Sequence, residues 1–207
     1  MSFDESQYFR VRTTRDGHEI IGSPSVSVGQ VHLPAALQTA QDVFAEWHWD
    51  GNQAIVRNCK LGFFPIYYYA TDKEFGVATS IERLLACGAP SDLDDSAMAV
   101  CIRLGWLVGD DTIFRSIRTL PPGGKVVWQN GSTRVSGGYT FPKFESVSLD
   151  VAVRHYGELF HNAVKRRASK EIRTGVPLSG GRDSRHILLE LDSIGCKPKA
   201  CFTNHDF

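Results

Sequence analysis

Short runs of alternating hydrophobic and polar residues fill the first part of the chain, and this period of two is typical of strands that are buried on one face. Residues 43–57 contain two such runs, which meet at Asp50-Gly51-Asn52, a strong signal for a hairpin turn. A second pair of runs covers residues 66–70 and 75–78. The pattern therefore predicts antiparallel hairpins in this part of the chain.

Two short helices are predicted to follow these hairpins. One covers residues 81–86, because Cys87 and Gly88 supply a C-terminal stop. The other begins after Asp94, an N-cap candidate, and runs to residue 104. A further hairpin over residues 125–139 turns at Asn130-Gly131. Hairpins combined with few helices predict an α+β fold with an antiparallel sheet.

The hydrophobic period changes after residue 146, beyond a segment rich in glycine, proline and aromatic residues. Ser148 is predicted to cap an amphipathic helix, and a strand over 174–178, a helix over 183–193 and a strand over 199–203 follow. A strand–helix–strand unit implies parallel strands, the beginning of an α/β doubly wound sheet. We therefore expect two domains, over residues 1–146 and 147–207.

Composition narrows the class of protein only slightly. The formal net charge is zero, which argues against nucleic acid or an anionic membrane as a partner. The apolar runs are too short to span a bilayer, and the acidic, polar N-terminus is unlike a signal peptide. Five scattered cysteines without a Cys-x-x-Cys pair favour a reducing, cytoplasmic location, and Cys196 and Cys201 are expected to be buried thiols.

The run Ser179-Gly180-Gly181-Arg182-Asp183-Ser184 is the most informative motif of the chain. Two adjacent glycines can adopt positive φ and turn their N–H groups towards one centre. Asp183 and Ser184 are predicted at the helix cap, where the helix dipole favours an anion such as phosphate or pyrophosphate. The motif is not a common P-loop, because no Gly-Lys-Ser/Thr follows. The alternative is an ordinary capped junction between a strand and a helix.

Ser-Gly-Gly-x-Asp-Ser resembles the pyrophosphate-binding loop of the ATP pyrophosphatases, which split ATP into AMP and pyrophosphate. From about residue 44 to its end, the chain resembles the asparagine synthase (glutamine-hydrolysing) family in an ordered series of fragments. These fragments are residues 57–68, 77–85, 93–105, 111–114 and Leu120-Pro121-Pro122-Gly123. The series is specific because it ends in the loop motif.

In that family, an N-terminal glutaminase domain frees ammonia from glutamine. A C-terminal synthetase domain of the ATP pyrophosphatase type activates the aspartate side chain as an acyl-adenylate, and ammonia then displaces AMP. The resemblance implies that ATP and Mg²⁺ bind at the loop, with Asp183 helping to position the metal. It further implies that the phosphates contact Ser179, Gly180, Gly181, Asp183 and Ser184. Leu178 and Phe202 are expected to flank the adenosine.

Four features depart from the family pattern. The family's glutaminase uses an N-terminal cysteine as nucleophile, whereas this chain has Ser2, so no catalytic residue is assigned to that reaction. The region ahead of residue 44 is short, and we expect the strands and glutamine-binding residues of that domain to be absent. Arg182 occupies the variable position of the loop, where it reaches a phosphate, reaches an acidic substrate, or is simply exposed. The chain ends at Phe207, before the family's downstream synthetase motifs.

The sequence thus predicts an asparagine synthase-like, ATP-dependent and AMP-forming amide ligase that is incomplete as this chain. Its glutaminase-like domain is expected to be a truncated remnant of an N-terminal-nucleophile fold. The substrates are ATP and aspartate or another carboxylate, and a homodimer is left open. Two alternatives remain: a relative of the macrolactam-forming synthetases, which also lack the cysteine, and a remnant that catalyses nothing.

Overall fold

The computed structural model describes residues 7–28, 43–141, 143–168 and 174–203. These residues divide into two compact units, one that ends at residue 141 and one that begins at residue 143. The assignment of a glutaminase-like domain to residues 1–146 and of a synthetase part to residues 147–207 stays a prediction.

The first unit consists of strands with two helices among its described residues, and all of its strand pairs are antiparallel. The strands form two five-stranded sheets, in the orders β2-β1-β7-β6-β8 and β10-β9-β5-β4-β3. The elements are β1 (Tyr8–Thr14), β2 (Gly17–Gly22), β3 (Ser25–Val28), β4 (Ala45–Trp49), β5 (Gln53–Asn58), β6 (Tyr67–Ala70), β7 (Glu74–Ala78), α1 (Ile81–Ala86), α2 (Asp95–Leu104), β8 (Arg118–Thr119), β9 (Gly124–Gln129) and β10 (Ser132–Gly137). The predicted hairpins, both helices and the α+β class are confirmed.

The main core lies between the two sheets, because alternate residues of each strand point to the inner faces. Phe9 and Phe75 come from the first sheet, and Trp49 and Trp128 come from the second. The rings of Phe75 and Trp128 are stacked with centroids 5.9 Å apart. The Trp128 Nε1–H donates to the Thr71 carbonyl at 3.1 Å, so this large side chain is buried without an unsatisfied donor.

A smaller core covers the other face of the first sheet. Tyr69 and Ala78 pack there with Leu84 of α1, and all three are buried. The ring of Tyr69 lies directly over Gly76, where an added Cβ would be 2.2 Å from the Tyr69 Cε1 atom. Only glycine fits at that position. Gly76 therefore occurs inside β7 because the Tyr69 ring packs against it, and not because the chain turns there.

The expectation that strands would be absent ahead of residue 44 is wrong. β1, β2 and β3 all precede that residue, and β1 lies inside the first sheet between β2 and β7. Phe9 and Val11 of β1 are buried in the main core, whereas Arg10 and Arg12 point to the opposite face. The expected absence of glutamine-binding residues is not tested by this observation and stays a prediction.

The second unit contains α3 (Leu149–Arg167), β11 (Gly175–Pro177), α4 (Arg182–Ser193) and β12 (Ala200–Phe202). β11 and β12 are parallel, with Val176 opposite Cys201, which confirms the predicted parallel strand pair. Ser148 caps α3 as predicted, and its Oγ accepts from Val151 N at 3.4 Å. A doubly wound sheet of the ATP pyrophosphatase type stays a prediction.

α3 and α4 pack through a small number of side chains. The rings of Phe160 and His186 are stacked with centroids 3.9 Å apart. His161 Nδ1 lies 2.7 Å from the Glu190 carboxylate. Cys201 on β12 is exposed, so its prediction as a buried thiol is wrong, and Cys196 is half-buried. Within the described ranges, no helix is long and apolar enough to cross a membrane.

Candidate functional site

The loop 179–184 lies at the carboxyl end of the parallel strands. β11 ends at Pro177, and the next backbone N–H, that of Leu178, donates to the Phe202 carbonyl of β12 at 2.8 Å. The chain then turns and enters α4 at Arg182, with Gly181 as the N-cap residue. In α/β proteins, ligands bind outside the carboxyl ends of the strands, which is where this loop stands.

The backbone of the loop matches the predicted turn at one glycine and differs at the other. Gly180 has φ of +76°, the left-handed conformation that favours glycine. Gly181 has φ of −73° and extended backbone, so the prediction that both glycines turn with positive φ is wrong for this residue. The reason is that α4 begins one residue earlier than predicted and Gly181 is its N-cap.

Asp183 and Ser184 are therefore helical residues rather than caps. They are the second and third residues of α4, and Gly181 has no side chain that could accept from the first N–H groups of the helix. An anion placed at this end would satisfy those N–H groups and interact favourably with the helix dipole.

The hydroxyl groups of Ser179 and Ser184 meet across the turn. Their Oγ atoms are 3.4 Å apart, and Ser179 Oγ also accepts from Gly181 N at 3.4 Å. Ser184 Oγ donates to the Gly181 carbonyl at 3.4 Å. The Arg185 Nε–H donates to the same carbonyl at 3.1 Å. The loop thus gathers two hydroxyls, a helix N-terminus and a guanidinium within one turn.

A cavity of about 790 Å³ opens between α3, β11 and α4. Ser179, Asp183 and Ser184 line one part of it, and apolar side chains such as Phe160 and Ile187 line the rest. The structure therefore brings three of the predicted site residues together on one wall. Leu178 and Phe202 are not among the residues that line this cavity, and Phe202 is 52% exposed.

The residues at the loop fit an Mg²⁺ ion that is held by one protein carboxylate together with the phosphates of a nucleotide. Among the described residues, no group of three His, Cys, Asp or Glu side chains could hold a metal ion. Asp183 would supply one carboxylate, and Mg²⁺ usually takes one or two carboxylates together with phosphate oxygens and waters.

Cys59 and Cys87, two of the three cysteines of the first unit, have pKa values that are shifted by their surroundings. Cys59 is buried in the loop after β5. Burial raises the pKa of the Cys59 thiol, but backbone hydrogen bonds from Phe63 and Phe44 outweigh it, so the pKa lies below its usual value. Burial raises the pKa of the Cys87 thiol at the end of α1. Both cysteines are internal residues without a free α-amine.

A partly buried polar network on the outer face of the first sheet was not predicted. The Arg12 Nε–H donates to Glu74 at 2.7 Å, and the Tyr69 hydroxyl donates to the same carboxylate. Arg10 lies 3.7 Å from Glu74 and donates to the Cys87 carbonyl. The sequence does show arginines at alternate positions of β1 and a glutamate on β7. These residues could be paired only if the order of the strands in the sheet were known, and the sequence pattern does not give that order.

Two antiparallel sheets packed face to face, with helix α1 on the outer face of the first sheet, define the first unit as an α+β sandwich. Residues 10–140 match the glutamine amidotransferase domain, and because they make up more than half of the sequence, the chain belongs to that family. No curated protein matches the chain.

The family match confirms a glutaminase-like domain and shows that the family resemblance begins earlier than expected. The match begins at residue 10 rather than near residue 44, in agreement with the position of β1 in the first sheet. It ends at residue 140, so the loop 179–184 lies beyond it. Ser2 lies outside the described residues, and its predicted lack of a catalytic role stays a prediction.

Proposed function

We propose that the chain is the nucleotide-binding part of an asparagine synthase-like amide ligase, which activates a carboxylate with ATP and releases pyrophosphate. The observation that carries the proposal is the loop 179–184. It joins a parallel strand to a helix, turns at the left-handed Gly180, and leaves the first N–H groups of α4 without a side-chain cap. These are the features of a phosphate-binding loop.

The same residues support an arrangement for ATP and Mg²⁺. The backbone N–H groups at the start of α4 and the hydroxyls of Ser179 and Ser184 would hold the β- and γ-phosphates. The Asp183 carboxylate would hold Mg²⁺, which neutralises phosphate charge when it is bound. Leu178 and Phe202 stand at the carboxyl ends of the parallel strands, and the exposed Phe202 ring offers a flat surface for adenine.

We infer that the amidotransferase-type unit does not hydrolyse glutamine. The family's reaction depends on an N-terminal cysteine whose own α-amine assists as base. Ser2 stands where the resemblance places that cysteine, and the five cysteines of the sequence are residues 59, 87, 101, 196 and 201. The nitrogen donor is then an amine or ammonia from another source, and the acyl substrate is aspartate or another carboxylate.

Exchange of labelled pyrophosphate into ATP tests the ligase function. With Mg²⁺ and aspartate present, we expect label to enter ATP, and Asp183→Asn to stop the exchange. Glu145→Gln is the control, because Glu145 is exposed and does not line the cavity. A chain that binds Mg-ATP but exchanges no pyrophosphate with any carboxylate would be a nucleotide-binding remnant. A chain that does not bind Mg-ATP would contradict the proposal.

A further inference from the structure

A cavity of about 350 Å³ lies on the outer face of the second sheet, in the first unit. Val56 and Val126 are buried in the main core, so the residues next to them along β5 and β9 point to the opposite face. Arg57 and Lys125 are two of these residues, and Glu46 stands opposite Arg57 on β4. All three charged side chains line the cavity.

The three charges do not balance. Glu46 forms an ion pair with Arg57, and the Arg57 guanidinium also lies over the Phe44 ring, 5.8 Å from its centroid. Lys125 stands directly opposite Arg57 in the strand register and forms no ion pair with any described residue. Two cations directly opposite each other in a sheet destabilise it, and an anion bound beside them would remove that repulsion. The cavity thus combines one excess positive charge with a guanidinium that two contacts hold in place.

We propose that this cavity binds a small organic carboxylate, whose oxygens contact Lys125 and Arg57 and whose apolar part lies against Ile55. A carboxylate carries one negative charge, which matches the single excess cation. A phosphate group carries more than one negative charge at neutral pH, and the Glu46 carboxylate would repel it.

The size and the remaining lining of the cavity agree with such a ligand. Ligand pockets have volumes of about 300–1,000 Å³, and this cavity lies at the small end of that range, which favours a molecule of a few carbon atoms. Ile55 is half-buried and supplies an apolar surface beside the charged row. The polar side chains that line the rest of the cavity are Ser25, Ser27 and His48. The site does not rest on the proposed function, because the loop 179–184 belongs to the other unit.

Titration of the isotope-labelled full chain with sodium butyrate at constant ionic strength, followed by NMR, tests the proposal. We expect saturable shifts of the amide signals of residues 55–57 and 125. Lys125→Gln removes the excess charge at an exposed position and should weaken binding by about 10-fold. Arg134→Gln is the matched control and should leave the affinity unchanged, because Arg134 lies on the neighbouring strand β10 and does not line the cavity.

Saturation that is weakened in Lys125→Gln and retained in Arg134→Gln would support the proposal. Equal affinities of these two variants would overturn it, and so would shifts that do not saturate in the unmodified chain. Inorganic phosphate and butylammonium are the comparison probes. Tighter binding of phosphate than of butyrate would overturn the assignment of a carboxylate. Equal binding of butylammonium and butyrate would overturn the charge contact, because the apolar chain alone would then account for binding.

Discussion

Arg12 and Glu74 face each other across β1 and β7, with the Arg12 Nε atom 2.7 Å from the Glu74 carboxylate. Glu74 also accepts from Tyr69, so one carboxylate joins three strands on the face of the sheet that α1 covers. The Glu74 side chain is 13% exposed, and the Tyr69 residue is buried. The two carboxylate oxygens accept one hydrogen bond each from Tyr69 and Arg12, and glutamine would replace one of these oxygens by an NH₂ group and remove the charge that faces Arg10 and Arg12.

We therefore expect Glu74→Gln to destabilise the first unit by about 2–3 kcal/mol. Urea unfolding measures the change. Glu19→Gln is the control, because Glu19 stands opposite Arg12 on the edge strand β2 and is exposed. If the two variants lost the same stability, the network would contribute nothing beyond surface charge.

The network also predicts how stability depends on pH. Burial raises the pKa of Glu74, but hydrogen bonds from Tyr69 and Arg12 outweigh it, so the pKa lies below its ordinary value of 4.5. A depressed pKa in the folded state contributes stability above pH 4.5, and this contribution is lost as the pH falls through the folded pKa. The difference in unfolding free energy between the unmodified chain and Glu74→Gln should therefore narrow below pH 4.5. A constant difference from pH 7 to pH 3 would contradict this account.

The second unit should open more readily than the first. α3 has no buried residue, and the buried side chains of this unit in the described ranges are Val176 and Leu191. We expect amide hydrogens from residue 150 onward to exchange faster than those of β4 and β5, because local opening there exposes little apolar surface. Mass spectrometry of exchanged peptides measures this difference. Uniformly slow exchange in both units would indicate that the second unit is covered, for instance by a second copy of the chain.

Incubation with glutamine should release no glutamate above the rate without protein. The reason is that Ser2 occupies the position at which the resemblance places the cysteine nucleophile of the glutaminase reaction. An enzyme-coupled assay for glutamate measures the release, with Ser2→Ala as the comparison. Release that depends on Ser2 would show that a serine replaces the cysteine in this chain.

The turns and hairpins could be predicted because their signals are local. Asn130 and Gly131 have φ of +48° and +80°, as a two-residue turn of Asn-Gly requires. Asp50 accepts from the backbone of Asn52 and Gln53 within its own turn. In each case the residues that decide the structure lie next to one another in the sequence.

The alternation of Phe9, Arg10, Val11 and Arg12 is a local signal for a strand, but the position of β1 between β2 and β7 could not be predicted because it depends on distant partners. Arg10 and Arg12 lie beside Glu74 of the neighbouring strand. The same limit applies to the candidate site. Gly180 has the left-handed turn that its residue type suggests, whereas the helix start at Arg182 depends on how the chain leaves β11.

Binding of magnesium pyrophosphate to Gly181→Val tests the central claim most directly. A pyrophosphate bound at the helix N-terminus must approach the backbone of Gly181, and a side chain there would block the approach. Gly157→Val is the matched control, because Gly157 lies in α3, where an added Cβ meets nothing within 4 Å. We predict that Gly181→Val weakens binding by at least about 100-fold and that Gly157→Val leaves it unchanged. Equal affinity of the unmodified chain and Gly181→Val would contradict a phosphate-binding role for the loop.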